Sequence, residues 1–354
     1  MRTILLLIAS FATAAFGAPT YQGQFHGNGE AGFGNAVASD GQVMVISSFS
    51  GVYFYQWNGS TWSQTAHVNL GASATGLAIY KTSALAKTPD TLFAFEQSGG
   101  VWNVTQKIPI VDGTGYVFSQ SVALYTNTAV VGAPNYNSGV GHAYVLSRTT
   151  AGSPWGIVQV LNSPTSSPDY FGGAVNIAVA GTTHYLLAGA PYANTANGTV
   201  YGYQQSGTIF VPAGSIVSPA SGTARFGSTM SGSGASILIG SPATGGFVGS
   251  ANVYSISFSG GVMSAVRVQN VPAASGATFL FGNEVAYAGT FAIITSPSTL
   301  TYYPVSGGLL GAAVSLTVPA HSTNWGYSLT AVGSFTFVGD SLASGGSGAV
   351  SWYK

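Results

Sequence analysis

The sequence predicts an all-β protein: a seven-bladed β-propeller of four-stranded antiparallel blades, its ring closed by the N-terminal strand joining the last blade. Three observations carry this. A pattern of two short apolar runs and an aromatic strand, separated by Gly, Pro and Asn, recurs along most of the 354 residues. Its copies are spaced by roughly 40–55 residues, the size of a propeller blade rather than of a helical solenoid repeat. Glycine is abundant, with 50 residues, while only 5% of residues are charged, which suits many tight turns and a hydroxyl- and amide-rich surface.

Met1-Arg2-Thr3, an apolar run from Ile4 to Phe11 and the small residues Ala12 to Gly17 have the order of a secretory signal peptide over residues 1–17, cleaved after Ala15 or Gly17. The run is shorter than the roughly 18–20 apolar residues of a membrane span, so no direct membrane insertion is expected. Residues 18–354 then read as a single propeller domain. The segment from Pro19 through Phe25 stands where a fourth strand precedes each later repeat, and the last repeat ends at Ala349 to Lys354 after three strands. Joining the two closes the ring and removes exposed strand edges.

The repeats are anchored at Phe33-Gly34, Gly76-Leu77, Phe118-Ser119, Phe171-Gly172, Phe226-Gly227, Phe281-Gly282 and Trp325-Gly326. The strand after each anchor is half apolar, as in Ala174 to Val179. The next is continuously apolar, as in Ala129-Val130-Val131 and Ser236 to Ile239, the pattern of a strand covered on both faces by neighbouring blades. A third carries aromatics, as in Tyr53 to Trp57, to fill the wedge between sheets. The Phe packs between blades, the following Gly admits close backbone approach, and a Pro ends the second strand because it cannot donate to a ladder.

On these residues the chain resembles the FG-GAP repeat family, which includes the N-terminal β-propellers of integrin α subunits. Phe171-Gly172 goes with Gly189-Ala190-Pro191, Phe118 with Gly132-Ala133-Pro134, and Phe226-Gly227 with Gly240-Ser241-Pro242. Phe281-Gly282 with Ser296-Pro297 is a weaker copy. Ser47-Ser48-Phe49, Ser83-Ala84-Leu85 and Gly339-Asp340-Ser341 replace the Gly-Ala-Pro in the remaining repeats. The second repeat departs furthest, since it lacks an aromatic anchor and gathers Lys81, Lys87, Asp90 and Glu96. Either that blade is degenerate or its 81–90 loop serves a partner.

The resemblance implies a ligand face built from the loops before each anchor and after each Gly-Ala-Pro turn. Carried over, that face holds Asn135, Tyr136, Asp169, Tyr170, Tyr192 and Arg225 as the ligand-binding candidates, with Asp112, Tyr116, Asn137, Asn194, His321 and Asn324 around them. Tyr with Asn and Asp suits sugars or polar protein surfaces, although the same short polar residues also simply make turns. Many relatives carry an Asp-x-Asp-x-Asp-Gly calcium loop between the first two strands. Here no such loop holds more than one carboxylate, so no metal or other cofactor is expected.

Eight basic and eight acidic residues, scattered singly, leave no basic stripe for phosphates, which sets nucleic acid aside. Cysteine is absent, excluding disulfides and thiolate chemistry. The acids and histidines fall in different repeats and no Gly-x-Ser-x-Gly appears, so no enzyme is expected. Asn58, Asn103 and Asn197 head N-glycosylation sequons. The leading reading is a secreted, extracellular recognition or adhesion module for a glycan or protein. The alternative is a coat or matrix protein that self-associates, and a lesser one an extracellular polysaccharide hydrolase or lyase.

Overall fold

The computed structural model of the chain describes residues 17–113, 121–180, 183–274, 277, 279–320 and 325–354; residues 1–16, the Phe118-Ser119 anchor, Tyr116, His321 and Asn324 lie outside them. The chain forms a seven-bladed β-propeller, each blade an antiparallel meander running outward from the axis. Blade 4 is typical, with strands Val175–Ala180, Thr183–Ala190, Thr199–Ser206 and Ile209–Val217. In blade 6 the outer strand is broken into two short pairings, Leu309–Leu310 and Val314–Ser315. Blade 7 takes its fourth strand from the N-terminus, as expected. Tyr21–His26 pairs with Ala349–Tyr353, placing Phe25 opposite Val350, and Thr20 and Lys354 exchange backbone hydrogen bonds of 2.9 and 3.1 Å.

The core is seven separate layers, one between each pair of adjacent blades. The continuously apolar second strands explain why. Successive side chains point to opposite faces, so Val43 and Val45 join the layer toward blade 2 while Met44 and Ile46 join the layer toward blade 7. The third-strand aromatics fill these layers, Phe54 stacking on Trp102 of blade 2 at 4.5 Å.

The Phe-Gly anchors join each blade to the one before it. Phe33, Phe171, Phe226, Phe281 and Trp325 are wholly buried. The Gly172 N–H donates to the carbonyl of Gly189 in its own blade at 2.9 Å, while its carbonyl oxygen lies 1.9 Å from where a Cβ on Gly132 of blade 3 would sit. The same contact recurs at Gly189, Gly240 and Gly339, at 2.0, 2.2 and 2.1 Å. The glycine of each such turn is thus dictated by the anchor of the following blade.

Blade 2 is aligned differently from the sequence reading. The Thr75 N–H donates to the Lys87 carbonyl, as anchor glycines do elsewhere, so Ala74-Thr75 stands in the Phe-Gly place and Lys87-Thr88-Pro89 in the Gly-Ala-Pro place. Residues expected in an 81–90 loop instead form the buried second strand Ser83–Lys87. Lacking glycines, the joint with blade 3 is held by charges. The buried Lys87 ammonium pairs with Asp112 at 2.5 Å, and Arg148 pairs with Glu96 while lying 4.4 Å over the Trp155 ring.

Outer strands are also stapled. The side-chain amides of Gln106, Gln159 and Gln269 each exchange two hydrogen bonds with the main chain of the next blade, at Trp155, Phe210 and Leu310. Antiparallel order places the turns between second and third strands, and the connections between blades, on one face; the hairpins between first and second and between third and fourth strands lie on the other. These are called the loop face and the hairpin face below.

Candidate functional site

The second-to-third-strand turns of blades 3, 4, 5 and 7 share one unusual form. Two consecutive residues are left-handed in each: Asn137 and Ser138, Asn194 and Thr195, Gly245 and Gly246, Ser344 and Gly345. A third follows, occupied by Gly139, Ala196, Phe247 (φ 73°) and Gly346. The residue before the facing anchor is left-handed too: Tyr170 (φ 55°), Arg225 (φ 53°), Leu280 (φ 53°) and Gly32. Its N–H donates to the carbonyl of that third residue, at 2.7 Å for Tyr170, 3.0 Å for Arg225, 2.7 Å for Leu280 and 2.9 Å for Gly32. A side chain in this conformation costs about 1–2 kcal/mol relative to ordinary backbone, and glycine escapes that penalty. Blade 7 and its neighbour use glycine at both places, whereas blades 4, 5 and 6 present Tyr, Arg, Phe and Leu there.

Those side chains build a row across three blade joints. Tyr170 rests on Gly139 of the preceding turn, where a Cβ would fall 2.9 Å from its ring. The Tyr170 and Tyr192 rings are 4.8 Å apart. The Arg225 guanidinium lies 5.1 Å from the Tyr192 ring centre and 5.2 Å from that of Phe247. Phe247 stacks near Phe279 at 6.1 Å. Phe279 is 49% exposed, so the row opens to solvent.

Of the residues singled out from sequence, the structure therefore brings Tyr170, Tyr192 and Arg225 together. Tyr136, 39% exposed on the neighbouring turn, stacks on His142 at 3.9 Å. Burial holds the His142 imidazole below the ordinary histidine range, with the Val111 backbone and the Asp112 carboxylate opposing it. Asn135 is half-buried, and its N–H donates to Asp112 at 2.8 Å. Asp169 lies beneath the surface, where its carboxylate accepts the Thr165 hydroxyl and its carbonyl accepts the Tyr192 N–H at 3.1 Å. Phe247 and Phe279 were not singled out from sequence. The signal for Phe247 was present, since blades 3 and 7 have glycine at its place.

The charges on this face are unequal in availability. All eight carboxylates in the chain accept a hydrogen bond from the fold. Glu30 accepts from Ser48 and Ser50 and meets His67, Asp112 takes Lys87, Asp169 takes Thr165, and Glu284 takes Thr229. Asp40, Asp90, Glu96 and Asp340 are likewise held, by Val43, Thr88, Arg148 and Leu342. The Arg225 guanidinium, in contrast, has neither a carboxylate nor a hydrogen-bond acceptor among the described residues. Lys81 and Lys354 sit over the rings of Tyr80 and Trp57 on the hairpin side, and Lys107 sits over the Phe93 ring toward the loop-face end of the outer strand of blade 2.

A central channel of about 310 Å³ runs along the axis, lined by first strands of all seven blades and by none of the row residues. Among the described residues no three His, Asp or Glu side chains are grouped to hold a metal ion, and no helix is long and apolar enough to cross a membrane.

No protein-family model matches the chain, and no curated protein matches it. Among solved structures, Sqt1 of Saccharomyces cerevisiae, itself a propeller, superimposes with a TM-score of 0.59 over 91% of this chain and 83% of its own, at 8% identity. That likeness carries the fold alone.

Proposed function

We propose that the chain is a secreted, non-catalytic recognition module of the FG-GAP type, binding an extracellular glycan or protein through its loop face. The observation that carries this reading is the Tyr170–Tyr192–Arg225–Phe247–Phe279 row. It gathers aromatic surface and a cation with no carboxylate or hydrogen-bond acceptor among the described residues, and it places Phe247 where the turns of blades 3 and 7 have glycine. Rigid scaffolds commonly display function on such connections.

A glycan array and a pull-down from extracellular fluid, run with the mature protein and with Tyr170→Ala, test this. Saturable capture lost in the variant is expected. Capture fully retained by Tyr170→Ala would move recognition off this face.

Self-association is a second reading, favoured by the outer strands of blades 4 and 5. Val217, Val262 and Val266 there are 53%, 63% and 59% exposed. Sedimentation that sharpens to monomer on Val262→Lys and Val266→Lys would select it.

A further inference from the structure

Resting on that reading of the loop face, we infer that its ligand is an acidic polysaccharide, a glycan whose sugars carry carboxylates, with Arg225 as the residue that selects the charge. The cation is the starting point. Aromatic contacts engage the face of a guanidinium and leave its N–H donors for a planar carboxylate, which it can grip with two parallel hydrogen bonds. In this chain those donors have no acceptor among the described residues, while each of the eight carboxylates is held elsewhere. The rings on either side hold the long side chain in place, which reduces what must be ordered on binding.

The backbone points the same way. Tyr170, Arg225 and Phe247 all hold left-handed conformations that glycine fills at the matching places of other blades. Strain of this kind persists where the side chain is needed. Three of the five members of the row are strained in this way, at consecutive blade joints; Ala196 and Leu280 hold the same conformation at these joints without joining the row.

A sugar fits this surface better than an acidic peptide does. Extended peptides are bound by a free strand edge or by an apolar groove. The connections carrying the row have neither, because the N–H groups of Tyr170, Arg225 and Leu280 are already given to the preceding turns, and the row lies outside the central channel. It offers instead aromatic rings with centres 4.8 to 6.1 Å apart, on which the apolar faces of sugar rings can stack. The arrangement therefore supplies stacking for the sugar and one cation for its acid group.

Calorimetric titration of the mature protein with oligogalacturonate, with the same oligosaccharide reduced at its carboxyls, and with polyglutamate tests the inference. Oligogalacturonate is expected to bind, the reduced form to bind about tenfold or more weakly, and Arg225→Gln to remove that difference, as the loss of a charged hydrogen bond implies. Arg225→Lys should retain part of it, and circular dichroism should report both variants folded. Equal binding of the acid and reduced forms, or no effect of Arg225→Gln, would overturn the role of charge while leaving a sugar-binding face. Polyglutamate binding as tightly as the oligouronate would overturn the sugar class. Absence of any oligosaccharide binding, with a protein ligand still captured in a Tyr170-dependent way, would overturn this inference and spare the broader recognition reading. Absence of both would remove the two together.

Discussion

Gly132 and Gly189 have ordinary negative φ, so their need for glycine is one of contact alone: a carbonyl of the next blade's anchor stands about where a Cβ would be. Gly189→Ala should therefore destabilise by about 1–3 kcal/mol, the usual range for overpacking. Gly156→Ala, whose nearest neighbour would be 4.0 Å away, should leave the denaturant midpoint unchanged. Equal midpoints for the two would contradict the contact account. The sequons separate on the same local grounds. Asn58 lies exposed in a hairpin and Asn103 on an outer strand, both clear of the loop face, while the Asn197 amide donates to the Ala220 carbonyl at 2.8 Å beside the Arg225 anchor. Mass spectrometry of protein made in a glycosylating secretory host should find Asn58 and Asn103 occupied and Asn197 bare. Tyr170, Tyr192 and Arg225 were legible in the sequence because they flank recognisable Phe-Gly and Gly-Ala-Pro residues. Phe279 was not, since it lies before an anchor in a connection of irregular length, and the contact that recruits it comes from another turn.

At the scale of elements, blade 2 shows how a joint survives the loss of its anchor glycines. Lys87 and Asp112 are both buried, and removing one leaves the other uncompensated. Asp112→Ala should cost about 3–5 kcal/mol, whereas the double change Lys87→Met with Asp112→Leu should recover much of the loss, as replacement of buried pairs by apolar residues generally does. Chemical denaturation of the three proteins decides the matter; a double variant as unstable as the single one would show that Asp112 serves chiefly as the acceptor of the Asn135 N–H rather than as the partner of a buried charge. The sequence showed the charges of this repeat but not their use, because Asp112 and Arg148 come from segments distant in the chain. The fourth strands of blades 1 to 5 share another device. Each carries one unpaired residue, Thr65, Thr105, Val158, Ala213 or Val268, at the same point of the pairing. Such bulges bend an edge strand away from partners, which charged residues do in other sheets and this chain has few of.

For the whole molecule, the seven-fold pattern was readable because each blade must repeat the same alternation of covered and exposed strands, and closure followed from counting strands at the two ends of the repeat array. Deleting residues 17–26 should expose the edge of Ala349–Tyr353 and lower the melting midpoint. The titrating groups set a pH window for the folded ring. Burial pushes the phenols of Tyr55 and Tyr303 up to about 12 and raises those of Tyr203 and Tyr353 as well. The unfolded chain loses these protons near 10, so above that pH the native state binds more protons and stability falls as pH rises. Burial holds His142 and His184 below 6.5, so the unfolded chain takes up protons first and stability falls as pH drops through that value. Burial of Glu30 acts upward, but the Ser48 and Ser50 hydroxyls and His67 hold it lower than 4.5, adding a further loss below that point. A melting midpoint flat between about pH 6.5 and 10 and falling on either side is expected; a steady slope across that window would contradict these assignments.

The central claim is that the row on the loop face is present for recognition rather than for folding. The most direct measurement is the unfolding free energy of the double variant Arg225→Gly with Phe247→Gly against the parent. The account predicts stability unchanged within about 1 kcal/mol or raised, since relief of two left-handed side chains offsets the lost ring contacts. A loss of about 3–5 kcal/mol, as when a core aromatic is removed, would show the row to be scaffold and contradict the claim.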